Sequence, residues 1–411
     1  MTGSADSPLA HRRCRRKIVG WDCNAPDPFP GYGGMVGLGQ DAAELANGDW
    51  LVVFHAGYWH VSMATPCVVA NETLARWRES GFRDVDAPRG GRVMAVRSCD
   101  AGLTWSKPWT VYNGIWSDAP VGLTRLASGD LLLFVNQQAS WYGLAEAPPG
   151  HLPVNTRIGV MRSEDDGHSW SEPVWLEMPY PYYQRAHAHA QELGDRSVIY
   201  PTYASDGRGS LHGAIHRSDD AGRSWRLLSR IERDDGQALD EPSLTLLRDG
   251  RLMMLSRPDA AVLYSADGGQ SWQLSHQAPF APLKAHRTTV LADGTVVCWM
   301  TSNGVLRVSW STDGGDTWTT GEDGLPLVLD ADFYGYPGGF HMVDESVLVV
   351  YYDAAHRQQR TGVWLIRFRL DAGRKRMEIV PVPGADAESA DAALPGTEEL
   401  DADAGQPLPE S

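Results

Sequence analysis

Five segments of the chain repeat one pattern, Ser-x-Asp-x-Gly-x-Ser/Thr-Trp: SCDAGLTW from Ser98, SEDDGHSW from Ser163, SDDAGRSW from Ser218, SADGGQSW from Ser265 and STDGGDTW from Ser311. Each follows a short alternating apolar stretch, as in RVMAVR, RIGVMR and LRVSW, which reads as a β-strand. The chemistry of the motif is that of a hairpin turn. Its Asp accepts backbone and hydroxyl hydrogen bonds across the turn, its Gly permits a positive φ, and its Trp packs back between neighbouring sheets. One such turn fits many folds, whereas five in register specify a repeat protein in which each copy fastens the fold and carries no catalysis.

A second signal interleaves with the first: a glycine-centred turn followed by an apolar strand. It occurs in ANGDWLVVF, ASGDLLLFV, LRDGRLMML and LADGTVVCW and, more loosely, in LGDRSVIYP and VDESVLVVYY, six in all. Successive staple serines lie 65, 55, 47 and 46 residues apart, about the chain that four strands and their turns consume. The predicted fold is all-β, a six-bladed β-propeller, with seven blades as the fallback. The innermost strand of each blade begins near the central axis, so residues just upstream of these six strands are expected to line one funnel.

The organisation expected along the chain is a flexible N-terminal leader over 1–17, a propeller domain over 18–382 and a disordered acidic tail over 383–411. The leader holds a basic cluster, HRRCRRK, without the apolar run of a secretion signal. The five cysteines, Cys14, Cys23, Cys67, Cys99 and Cys298, are scattered and odd in number, which indicates neither a zinc site nor a disulfide framework. The expected location is therefore cytoplasmic. No apolar run approaches the ~20 residues a bilayer crossing needs, so no membrane partner is expected. The net charge of −16 argues against nucleic acid. No cofactor and no metal are expected.

The staples are Asp-boxes, and over roughly Ile18 to Val382 the chain resembles the sialidase (neuraminidase) superfamily of BNR-repeat propellers. The resemblance implies an active site at the axial mouth, a Tyr nucleophile assisted by a Glu, an Asp acid/base and three arginines that grip the sugar carboxylate. Glu241, in LDEPSLTLLRDGRLMMLSR, with Arg257 sixteen residues on, resembles the family's Glu and its second arginine. A Glu–Arg ion pair across a hairpin is the plainer reading of the same spacing. Tyr336, in DFYGYPGGF, stands at the family's nucleophile, with Tyr334 as the competitor. Asp86, in FRDVDAPRGG, lies near the acid/base position, with Asp84 competing, and an ordinary solvated carboxylate is the alternative.

The arginine pattern departs from the family. Where an Arg-Ile-Pro should open the first blade the chain has Gln40 and Asp41, and the place of the third arginine is held by the SNG around Asn303, with Arg307 nearby. Arg287, in KAHRTTV, and Arg185 are the substitutes. Histidines gather in their stead. YYQRAHAHAQEL puts His187 and His189 on one face of an extended strand with Arg185 in the same row, His286 precedes Arg287, and HAGYWH carries His55, Tyr58 and His60. The candidate catalytic residues are Tyr336, Glu241, Asp86, His187 and His189; the candidate substrate-binding residues are Arg257, Arg287, His286, Arg185, Asp41, Gln40 and Tyr58.

The expected activity is a sialidase-like exo-glycoside hydrolase acting on a terminal sugar, acidic sugars included, with a carbohydrate as its partner. The alternatives are a propeller glycosidase or polysaccharide lyase that uses His and Tyr on a uronate-containing glycan, and a non-catalytic Asp-box binding scaffold. Oligomeric state is not legible in the sequence.

Overall fold

The computed structural model describes residues 14–20, 35–57, 71, 75, 91–114, 116–138, 149, 156–208, 210–302, 305–331, 336–352, 362–371, 373–374 and 376–385. Among them the strands form six antiparallel sheets of four or five strands each. The innermost strands of five sheets are Met35–Glu44, Ser117–Arg125, Asp240–Leu246, His286–Val290 and Gly338–His341. The third sheet enters through Tyr182–Arg185 and Gln191–Glu192, both paired with Val198–Ser205. Successive innermost strands touch one another around the axis, so the architecture is the expected six-bladed propeller.

The count of six follows from one turn. Leu45, Leu126, Leu193, Leu247, Leu291 and Met342 each donate their backbone N–H to the carbonyl four residues on, at 2.7–2.9 Å. Glycine takes the left-handed position in four of these turns, and Arg196 (φ 69°) and Glu345 (φ 65°) take it in the two looser ones. The apolar strand after each turn is the second of its blade, and the funnel-lining strand is the one before the turn. The chain runs outward from the axis, and this is why polar residues upstream of the turns are the ones drawn inward.

The five staples are built alike. In the first, Ser98 Oγ donates to Asp100 Oδ1 (2.8 Å) and accepts from Gly102 N (2.8 Å), while Asp100 accepts from Thr104 N (2.7 Å) and Thr104 Oγ1 (2.6 Å). Trp105 Nε1 donates to the Gly102 carbonyl (3.1 Å), and the ring closes the core between the sixth and first blades. Trp170, Trp225, Trp272 and Trp318 close the next four interfaces in turn. The interface between the fifth and sixth blades has no staple tryptophan; Trp299, Trp310 and Phe368 fill it.

The ring is closed by both ends of the described chain. Arg16–Gly20 and Met377–Val380 share the outer edge of Gly362–Leu370 in the sixth blade. The basic cluster thus enters the sheet two residues before the start expected at Ile18. Arg15 Nη1 donates to both oxygens of Asp330 in the fifth blade at 2.9 Å, with 5% and 3% of the two side chains exposed. Arg15 and Lys17 also lie over the Trp364 ring at 5.1 and 5.8 Å.

Candidate active site

Near the axis the blades approach so closely that glycine is required at the seams. A Cβ on Gly39 would fall 1.8 Å from the Pro120 carbonyl oxygen, and one on Gly122 would fall 2.0 Å from that of Ala188. At this constriction sits Asp41, fully buried. Its Oδ1 accepts from Gly339 N (2.8 Å) and its Oδ2 from Leu123 N (2.8 Å); His189 Nε2 lies 3.1 and 3.0 Å from the two oxygens, and Arg287 Nη2 is 3.8 Å from Oδ2. One carboxylate therefore joins the first blade to the second, third, fifth and sixth. Burial alone would raise its pKa, but the His189 ring, the Arg287 guanidinium and the Gly339 N–H outweigh burial and hold it below the usual carboxylate range.

Arg287 is fully buried as well. Its Nη2 donates to the Val121 carbonyl (3.2 Å), while Nε and Nη1 have no hydrogen-bond partner among the described residues. His187 is 3% exposed and its Nε2 is likewise unmatched. Burial, then the neighbouring Arg287, His286, His189 and Arg257, push its pKa far down, so the ring is neutral. It packs perpendicular to the Tyr336 ring, with ring centroids 5.2 Å apart at 89°. Tyr336 is half-buried against the core between the sixth and first blades.

Glu241 opens the fourth blade. It sits in a register break between Asp240 and Ser243 at φ 46°, a strained backbone for a residue with a side chain. Its Oε1 accepts from Arg257 Nη1 (3.1 Å), and Arg257 Nε is 3.3 Å from Asp240 Oδ2. Glu241 Oε2 is buried without a hydrogen-bond partner among the described residues. The paired reading of Glu241 and Arg257 thus holds, and it leaves one carboxylate oxygen unused.

Of the other expected residues, His286 faces only backbone carbonyls, with Nε2 2.9 Å from that of Leu255 in the fourth blade and Nδ1 3.3 Å from that of Lys284. Arg185 is buried and its guanidinium lies 4.9 Å from the Tyr183 ring centroid. Gln40 is fully buried, with both ends of its amide unmatched among the described residues. The stretch from Ala186 to Ala190 is not a ladder strand: Ala188 N donates to the Val121 carbonyl of the second blade (3.1 Å), and His187 and His189 serve different partners. Asp84, Asp86, Tyr58, His60, Asn303 and Tyr334 lie outside the described residues. Among the described residues no three or more His, Cys, Asp or Glu side chains are grouped to hold a metal ion.

Two residues were missed by sequence reasoning. Tyr203, on the second strand of the third blade, is buried, and burial, Asp240, Glu241, Tyr183 and Tyr336 together raise its pKa well above normal. Glu241 and Tyr336 thus act on one and the same phenol. Asp118 opens the second blade and is pushed up to about 7 by burial, although Gln137 Nε2 (2.7 Å) and Gly114 N (2.5 Å) donate to it and Arg157 lies near. A sequence signal for Asp118 existed: Asp118-Ala119-Pro120 begins its blade as Asp240-Glu241-Pro242 begins the fourth.

A sheet ring of this kind with carboxylates, a phenol and guanidinium groups at its hub defines a sialidase-type propeller. The model of the BNR repeat-like domain family matches residues 79–212 and 120–344. The chain belongs to this family, as a divergent member of the sialidase superfamily. It is 26% identical over 275 residues to a sialidase of Micromonospora viridifaciens, a match that covers 57% of this chain and 41% of that protein. The chain thus spans less than half the length of that relative. A Dyadobacter fermentans protein of unknown function superposes with a TM-score of 0.64 at 19% identity, covering 86% of this chain and 99% of that one. A Hadza microbial sialidase superposes with a TM-score of 0.62 at 16% identity, covering 82% and 66%. These two likenesses concern the fold.

Proposed function

We propose that the protein is an exo-acting glycoside hydrolase that removes a terminal sugar, with Tyr336 as nucleophile and Glu241 as its base. The observation that carries this reading is the unmatched, buried Oε2 of Glu241, whose other oxygen is anchored by Arg257. In the first step the Tyr336 oxygen attacks the anomeric carbon while its proton passes to Glu241 Oε2. The glycosidic bond breaks, and the departing oxygen takes a proton from a carboxylic acid, the role assigned to Asp86. Water then cleaves the tyrosyl glycoside, and the protons return by the same groups. A phenol is a sensible nucleophile here because a carboxylate at the same place would repel an acidic sugar.

Arg257, with 13% of its side chain exposed against none for Arg287, is the guanidinium assigned to a substrate carboxylate when one is present. Asp41 is assigned to the framework, since its oxygens are already engaged, and Arg287 to the wall behind the substrate. Support also comes from the relative named a sialidase. The test is a screen of fluorogenic sialosides, uronides and neutral glycosides against the wild type, Glu241→Gln and Tyr336→Phe. Activity equal in all three proteins would overturn the assignment, and no activity on any glycoside would favour the binding scaffold.

A second reading draws on the perpendicular ring contact of neutral His187 with Tyr336. Those two groups suit the removal and return of a proton in the elimination of a uronate. Hydrolysis yields a saturated reducing sugar, whereas elimination yields an unsaturated uronate that absorbs in the ultraviolet.

A further inference from the structure

The connection from the outer strand of the second blade, Val174–Trp175, to the innermost strand of the third, Tyr182–Arg185, runs inward over the face on which the innermost strands begin. Its sequence, Pro179-Tyr-Pro-Tyr-Tyr-Gln-Arg185, sets three tyrosines along that path. Tyr182 is 45% exposed and is the one exposed aromatic side chain among the described residues. It lies against the backbone of Gly207, where an added Cβ would come within 2.7 Å of the ring, so the turn supports one side and leaves the rest to solvent. Tyr180 packs on His212, with centroids 4.8 Å apart, and its hydroxyl bonds to Glu232.

Tyr183 carries the path inward. Like Glu241 it is the second residue of its blade's innermost strand, lies in a register break and has a positive φ, 48° against 46°. Two neighbouring blades thus hold the same uncommon backbone at the same place, which sheet pairing does not require. The Tyr183 ring meets that of Tyr203 at 6.2 Å, and Tyr203 feels Asp240, Glu241 and Tyr336. An aromatic row therefore leads from open surface to Tyr203, whose phenol feels the carboxylate of Glu241.

We infer that Tyr180, Tyr182 and Tyr183 form a second sugar subsite, which holds the sugar on the leaving side of the bond cleaved at Tyr336. Its place in the substrate rests on the hydrolase reading; its ability to bind does not. The chemistry specifies the ligand: pyranose rings present apolar C–H faces that stack on tyrosine, and hydroxyls that donate to carboxylates. Glu232 and Asp206 beside the row accept such hydroxyls, and Arg230 and Arg185, over the Tyr180 and Tyr183 rings at 5.8 and 4.9 Å, donate to them.

The test is saturation-transfer NMR of the full chain with lactose, maltose and cellobiose, for the wild type, Tyr182→Ala and Tyr182→Trp. At least one disaccharide should bind the wild type with transfer concentrated on its ring C–H protons. Tyr182→Ala should weaken that binding at least fivefold, and Tyr182→Trp should keep it within twofold. Failure of all three sugars to bind, or equal binding by Tyr182→Ala, overturns the subsite. Binding without cleavage of any glycoside would uphold the subsite and sink the hydrolase reading, while cleavage with an unaltered Tyr182→Ala would do the reverse.

Discussion

His189 Nε2 lies 3.0 Å from Asp41 Oδ2 across the axis, a contact between the third and first blades at the narrowest part of the ring. The same carboxylate accepts backbone N–H groups from the second and sixth blades. Removing its charge while keeping its shape leaves the His189 and Arg287 groups facing a neutral amide in a buried place. Asp41→Asn is expected to cost about 3–5 kcal/mol of stability, the scale for breaking a buried pair. Urea denaturation of the variant checks this, and a loss under about 1 kcal/mol contradicts the hub role.

Three buried histidines outside the proton-transfer chemistry make stability fall with acid. Burial depresses His55 to about 3 and His216 and His286 to about 4, from an ordinary 6.5. The unfolded chain takes up these protons first, so stability is complete above pH 6.5 and is lost as pH falls toward 4. One pKa unit is worth about 1.4 kcal/mol, so each group removes about 2 kcal/mol between pH 6.5 and 5. Denaturation at pH 7, 6 and 5 should show this steep fall, whereas a flat profile from 7 to 5 contradicts it.

The clasp between Arg15 and Asp330 predicts that the N-terminal strand holds the ring shut. Asp330 also accepts from the Tyr351 hydroxyl at 2.6 Å, and losing Arg15 would take the facing guanidinium charge away from this buried carboxylate. Arg15→Ala should lower stability by about 3–5 kcal/mol and make the sixth blade exchange its amide hydrogens faster than the third. Equal exchange in the two blades would show that closure does not depend on this pair.

Much of this was legible in the sequence because it is local. The staples and the six turns are fixed by residues within eight positions of one another, so their chemistry survives reading one residue at a time. The pairing of Glu241 with Arg257 was legible because two strands and a turn set their separation, and the ladder pairs Asp240 with Arg257. What failed depends on contacts between blades. His187 and His189 read as one face of a strand, but Ala188 is tied to Val121 of the neighbouring blade, and that bond cannot be seen in YYQRAHAHAQEL. The basic cluster before Ile18 read as a loose leader because its partners, Asp330 and Trp364, lie over 300 residues away. Tyr203 was hidden in an apolar strand, and Asp118 showed only in the Asp-x-Pro opening it shares with the fourth blade.

The central claim is that Glu241 and Tyr336 act as a base and nucleophile pair on a terminal sugar. The most direct measurement is kcat on the best fluorogenic glycoside for the wild type, Glu241→Gln, Tyr336→Phe and the double variant. Each single variant should fall by about 100-fold or more with its fold retained, and the double should be little worse than the poorer single, because the two groups work as one unit. Single variants within about threefold of the wild type would contradict the account.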